Sequence, residues 1–214
     1  MIRCNDPAVS PVVGVMLMLV VTIIIAAVVS AFAGGMGSEQ HKTPQATITV
    51  KSVIENIAGT TDPDTNAVTY PAGYTAANGL LFENTGGDSF SLNDIDIQLQ
   101  YQDTKYTLHP DDKLPATGNI LPVGIANGGY FRKLGNTSLS DRMIAPGDKF
   151  MVYSNANSQG VTYTGDPTYY GPKISWRPYG SKGGFSIYLN TKANYQIIDK
   201  ASSRAITTGE FILV

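Results

Sequence analysis

The chain has 214 residues, is 43% hydrophobic and carries a formal charge of −2 with a pI near 5.6, which excludes the basic face that nucleic-acid binding requires. Charged residues make up only 15%, against about 25% in typical soluble domains. The length suits one helix and one sizeable core, and the 22 glycines, 12 prolines and 12 tyrosines point to many turns and aromatic-bearing strands.

In chain order, the only cysteine, Cys4, lies ahead of a long apolar run, so the rest of the chain can form no disulfide. From Ala8 to Ala33 there is no charged side chain, and only Ser10, Thr22 and Ser30 carry polar ones. As a helix this run is about 39 Å long, enough to cross a hydrocarbon core of about 30 Å. A secretory signal has a shorter apolar region followed by a small-residue cleavage site, so this run is predicted to be retained. Ser10-Pro11 is a good helix start and Gly34, Gly35 and Gly37 supply the stop, which predicts a membrane helix over 8–37. The β-branched residues from Val20 to Ile25 form helix poorly in water, but lipid compels the backbone to satisfy itself.

Two rows of small residues mark the second half of this helix: Ala26, Ser30 and Gly34, and beside them Ala27, Ala31 and Gly35. They leave a shallow strip on one side where another backbone can approach closely. Such small-xxx-small patterns drive helix association where the hydrophobic effect cannot.

The segment Ala8-Val9-Ser10-Pro11-Val12-Val13-Gly14-Val15-Met16-Leu17-Met18, followed by Ala26-Ala27-Val28-Val29, resembles the N-terminus of archaeal type IV pilins. The resemblance implies that a prepilin peptidase cuts ahead of the apolar helix, between Pro7 and Ala8, removing residues 1–7 as a leader. It implies that the helix is kept and becomes the packed core of a pilus. It also implies as partners an assembly ATPase, a membrane platform protein and further copies of the same chain. Bacterial type IV pilins carry a glutamate at the fifth mature position; here that position is Val12, and archaeal members commonly lack the glutamate too.

Residues 38–45 are polar and read as a linker to a head over 46–214. Here the apolar period changes from helical to two. Ala46, Ile48 and Val50 alternate with Thr47, Thr49 and Lys51; Ile95, Ile97, Leu99 and Tyr101 alternate with Asp96, Gln98 and Gln100. Further strands are predicted at Leu80–Glu83, Lys105–Leu108, Lys149–Tyr153, Phe185–Leu189, Gln196–Asp199 and Glu210–Val214. Turn residues separate them, notably Asn84-Thr85-Gly86-Gly87-Asp88, Pro146-Gly147-Asp148 and Ser181-Lys182-Gly183-Gly184. Seven or eight such strands predict an all-β head, an Ig-like β-sandwich. Archaeal pilins often carry a Gly-Gly-Asp turn after an early strand and a Pro-Gly-Asp-like turn before a later one. Gly86-Gly87-Asp88 and Pro146-Gly147-Asp148 are similar in order and spacing.

Catalytic and metal motifs are absent from the sequence. His41 and His109 have no Cys or Glu at ligand spacing. There is no nucleophile elbow, phosphate loop or dinucleotide fingerprint, so neither an enzyme nor a cofactor is expected. Asp62-Pro63-Asp64-Thr65-Asn66 resembles the opening of a calcium loop but has Ala67 and Gly73 where the glycine and the closing glutamate belong, and reads as a solvated acidic loop. Tyr163, Tyr169, Tyr170, Trp176 and Tyr179 form an aromatic stretch; exposed, it could bind sugars or a neighbouring subunit, but the expectation is that it caps one end of the core. Asn136-Thr137-Ser138 is an N-glycosylation acceptor pattern.

Two functional classes fit. The first is a structural subunit of a surface filament used in adhesion or surface contact, a pilin or its close variant, an archaellin of a motility filament. The second is a membrane-anchored extracellular binding protein. The small-residue rows and the Ala8–Gly14 motif favour the filament, with the chain in the cell membrane before assembly and on the cell surface afterwards.

Overall fold

A computed structural model describes residues 11–35, 42–114, 129–135, 138, 140–179 and 184–214. The chain divides into two compact units, Met1–His41 and Lys42–Val214.

The first unit holds helix α1, Pro11–Gly35. Proline at its first position costs nothing, because that N–H would have no partner in any case. The helix is apolar on every side; from Pro11 to Phe32 its side chains face outward, Met18 being 73% exposed. Those 22 residues span about 33 Å, long and apolar enough to cross a membrane. Thr22 donates its hydroxyl to the Leu19 carbonyl at 2.9 Å, so this polar group is satisfied within the helix itself.

The second unit is built from strands: β1 (Ala46–Val53), β2 (Thr60–Thr61), β3 (Val68–Thr69), β4 (Gly79–Gly87), β5 (Phe90–Ser91), β6 (Ile95–Tyr101), β7 (Thr104–Leu108), β8 (Phe131–Lys133) and β9 (Met143–Ile144). There follow β10 (Lys149–Tyr153), β11 (Ala156–Ser158), β12 (Val161–Thr162), β13 (Tyr169–Tyr170), β14 (Lys173–Trp176), β15 (Phe185–Tyr188), β16 (Thr191–Asp199) and β17 (Arg204–Leu213). Two four-stranded antiparallel sheets carry the fold, in the orders β1-β4-β10-β8 and β17-β16-β6-β7. A three-stranded sheet, β11-β14-β15, adds to their common core.

The expected helix followed by a β-sandwich head is what forms. Alternation aims Ile48, Leu80, Phe82, Phe150 and Val152 of the first sheet at Ile95, Ile97, Leu99, Tyr195 and Phe211 of the second, all buried in one cluster. Phe82 packs flat on Phe150 at 5.0 Å and edge-on to Tyr195, in the opposite sheet, at 5.4 Å. Side chains of this size, fully desolvated, each contribute roughly 1.5–3 kcal/mol of burial.

The structure lengthens several predicted strands. β16 begins at Thr191 rather than Gln196 because Ala193 and Tyr195, set among polar residues, point into the core. β17 begins at Arg204 rather than Glu210, pairing with β16 across a bulge between Ile197 and Ile198. β2, β3, β5, β8, β9, β11, β12, β13 and β14 lie outside the predicted set; two to four residues long apiece, they owe their strand state to their partners.

Candidate functional site

The candidate surfaces are the flank of α1 and the two ends of the head. Ala26, Ala27, Ser30 and Ala31 lie on α1 with their side chains exposed, and Gly34 and Gly35 lie in its last turn. Pro7 and Ala8, and Asn136, lie outside the described residues.

One end of the head is where the chain arrives from the linker. β1 starts at Ala46, paired with Gly87, and ends at Val53, paired with Gly79; this neck end therefore holds the turn after β4. There Gln45 exchanges two hydrogen bonds with Asp88: its N–H donates to Asp88 Oδ2 at 3.0 Å and its carbonyl accepts from the Asp88 N–H at 2.7 Å. Gly87 has φ +97, and a Cβ there would collide with the Gln45 carbonyl oxygen, so glycine is required on two counts. Thr43 adds a hydroxyl bond to Ser202 at 2.7 Å, in the turn between β16 and β17. Thr43 and Gln45, just ahead of β1, are thus fastened to both sheets.

The sequence pattern predicts a turn over Asn84–Asp88, but β4 runs on to Gly87 because Asn84, Gly86 and Gly87 pair with β1. The Pro146–Asp148 turn meets this strand end at Asn84. This fully buried residue donates its N–H to the Asp148 carbonyl at 3.0 Å and accepts the Gly147 N–H at 2.7 Å. Its side chain accepts from Gly86 N–H at 3.1 Å and donates to the Asp88 carbonyl at 3.3 Å. A bulge between Thr47 and Ile48 lets Thr85 stand out of register and donate its hydroxyl to the Thr47 carbonyl at 3.0 Å. Beyond Asn84, Asp148 binds Lys133 Nζ at 2.8 Å, and Lys133 also reaches Asp141 at 3.2 Å and the Met143 carbonyl at 2.8 Å. The hydrogen bond from Lys133 holds the Asp148 carboxyl below the ordinary carboxylate range, and the same bond lifts the Lys133 ammonium above the usual lysine value. A polar relay therefore runs Gln45–Asp88–Asn84–Asp148–Lys133. The sequence singled out both turns; nothing in it signalled that a buried asparagine would join them.

The opposite, far end carries tyrosines. Tyr101 and Tyr188 lie 6.1 Å apart, with Lys173 Nζ 5.4 Å from the Tyr188 ring centre. Tyr163 meets Tyr170 edge-on at 5.4 Å. Their hydroxyls are held by acidic and amide side chains: Tyr163 donates to Asn66 Oδ1 and Tyr170 to Asp166 Oδ2, each at 2.9 Å. The expected aromatic cap splits in two. Trp176 alone joins the core, fully buried, while Tyr169 and Tyr179 are exposed and Tyr163 and Tyr170 half-buried.

The acidic loop is occupied by its own turn. Asp62 accepts the N–H groups of Asp64 and Thr65 at 2.8 and 3.0 Å, and Asp64 accepts the Thr164 hydroxyl at 2.6 Å. Backbone donation from Thr65 and Asp64 holds the Asp62 carboxyl below its usual range. These contacts close the β2–β3 hairpin and fasten it to the Tyr163 loop. Among the described residues no group of three or more His, Cys, Asp or Glu could hold a metal ion. His109, exposed, lies 2.9 Å from the half-buried Asp96.

Behind the tyrosines, buried asparagines stand in for strand partners. Asn78 Oδ1 accepts from Glu55 and Asn56 N–H at 2.8 and 3.1 Å; Asn157 Oδ1 accepts from Ala58 and Gly59 at 3.1 and 3.0 Å. They tie down the chain after β1 where no ladder does.

Residues 7–48 match the family model described as Archaeal Type IV pilin, N-terminal. The match takes in α1 and the start of β1 and bears out the resemblance drawn from Ala8–Met18. No curated protein matches the chain.

Proposed function

We propose, from an N-terminal segment matching archaeal type IV pilins, that this chain is a structural subunit of a pilus-like surface filament. The observation that carries the reading is α1: 22 residues without charge, apolar on all sides and exposed throughout. A helix of this kind is stable only in lipid or among copies of itself. A prepilin peptidase releases residues 1–7 by cutting between Pro7 and Ala8. The mature helix then waits in the cell membrane until an assembly ATPase and a membrane platform protein drive it into a homopolymer. Lipid and neighbouring helices are equally apolar, so transfer between them is governed by close packing. The strip of Ala26, Ala27, Ser30, Ala31, Gly34 and Gly35 is the surface suited to it. The role is structural, with no catalysis and no cofactor.

Adhesion is the use the head suits. Its tyrosines lie at the end away from the neck, and half-buried rings with fixed hydroxyls favour contact with sugars or other surfaces at low entropic cost. The same tyrosines support a second reading, a membrane-anchored binding protein whose helix never leaves the bilayer. An archaellin-type motility filament is a variant of the first.

The test is mass spectrometry of the mature N-terminus together with electron microscopy of material sheared from cells. A mature chain starting at Ala8 and present in filaments is expected. A chain that keeps Met1, or that begins beyond Gly34, overturns the pilin reading; processed protein found only in membranes favours the binding protein.

A further inference from the structure

In a subunit whose helix is packed in a filament, any load on the head leaves through Lys42–Gln45 and β1. The geometry of β1 decides how that load is shared. β1 pairs with β4 in antiparallel register over eight residues, Ala46–Val53. On its other flank lies β17, running in the same direction. Thr43 is bonded to Ser202, just before β17 begins, at 2.7 Å; Ser52 and Val214, just past its end, exchange hydrogen bonds of 3.1 Å each. The first and last strands of the head therefore lie side by side and parallel, with the neck at one end and the C-terminus at the other.

A pull between those ends runs along the strands. Cross-strand hydrogen bonds are individually weak, about 0.5–1.5 kcal/mol net, so resistance depends on whether they fail together or singly. Along the strand axis all the β1–β4 bonds are strained at once; across it they open one at a time from Ala46. Two further contacts oppose sliding. The buried Tyr195 hydroxyl reaches across from the second sheet and donates to the Ile48 carbonyl at 3.0 Å, and the Gln45–Asp88 pair closes the neck end.

We infer that β1 is a shear clamp: it transmits tension from the filament core through the head without peeling from its sheet, with Tyr195 as a cross-bolt. The inference rests on the filament-subunit reading for its purpose but not for its mechanics.

Single full-length chains in detergent micelles test it, with Cys4→Ser and handles on introduced cysteines. One pair, Lys42→Cys with Val214→Cys, pulls along β1; the other, Lys42→Cys with Ala201→Cys, pulls across it at the neck end. At equal loading rate the first pair is expected to need clearly higher force. Forced unfolding follows the unfolding rate, so Tyr195→Phe, which strands the Ile48 carbonyl, is expected to raise that rate roughly tenfold along the strands. Equal forces for the two geometries, or no effect of Tyr195→Phe, overturns the clamp. Absence of filaments in cells would overturn the filament reading and leave the force comparison standing.

Discussion

The Asn84 N–H donates to the Asp148 carbonyl at 3.0 Å while the Gly147 N–H donates back to the Asn84 carbonyl at 2.7 Å, so the turn before β10 is laid directly on the end of β4. With the Asn84 side chain engaged by Gly86 and Asp88, one residue satisfies both turns. Asn84→Ala keeps the backbone pair but strands the Gly86 N–H and the Asp88 carbonyl. Both groups are at least partly open to water, so each lost hydrogen bond costs roughly 0.5–1.5 kcal/mol. The expected result is a lower urea midpoint with an unchanged slope; a variant as stable as the parent would show that the side chain holds nothing.

Adjacent glycines at the same turn should respond differently. Gly87→Ala forces a side chain into φ +97 and into the Gln45 carbonyl, at a cost on the order of 1–3 kcal/mol. Gly86 has an ordinary φ, and a methyl group on its Cα would meet no neighbour within 4 Å. Thermal melts of the two variants are expected to separate clearly, with Gly86→Ala close to the parent.

The Lys133–Asp148 pair sets a pH dependence with a definite sign. The folded carboxyl titrates below its unfolded value, so its contribution is complete above about pH 4 and is lost as pH falls toward the folded pKa. The folded ammonium titrates above its unfolded value, so its contribution is complete below about pH 10 and is lost as pH rises through the folded pKa. Lys133→Met is expected to flatten both limbs of a stability-against-pH curve. Unchanged limbs would show that the pair contributes nothing to the pH dependence.

The one tryptophan reports on the core. Trp176 is fully buried beside Phe185, with ring centres 6.2 Å apart. The head alone, from Lys42 to Val214, is expected to be soluble and β-rich with blue-shifted emission that moves red on unfolding. Reducing agent should change nothing, since this stretch has no cysteine. Trp176→Ala should cost roughly 3–5 kcal/mol. Water-like emission from the folded head would contradict the burial, and a helical circular dichroism spectrum would contradict the fold.

Assembly is where the α1 strip should show itself. Ala31→Leu leaves the helix at least as apolar, so insertion and processing are expected to be normal. The longer side chain would hold neighbouring backbones apart at every repeat of the fibre. Processed protein should accumulate in the membrane with few or no filaments, whereas Leu19→Ile should do much less. Filaments of normal number and length from the Ala31→Leu chain would show that this strip is not the assembly face.

What the sequence determined by itself was whatever composition and short-range period decide. The absence of charge from Ala8 to Ala33 specifies a helix that must avoid water, because no partner elsewhere in the chain is needed to make it so. Strict alternation marks β6 almost to the residue, and β10, Lys149–Tyr153, has the limits its pattern predicted. Only the tertiary structure decided which polar residues go inside. Asn84 reads as a turn residue, and Asn78 and Asn157 fall outside every predicted strand, yet all three are buried, since their cost depends on partners distant in the chain. The same holds for the aromatic stretch: Trp176 and Tyr179 are near neighbours in sequence, but pairing of β14 with β15 turns one into the core and leaves the other outside. Strands of two to four residues carry too little local preference to declare themselves. Their state is set by the edge they dock on, which is a long-range property of the fold.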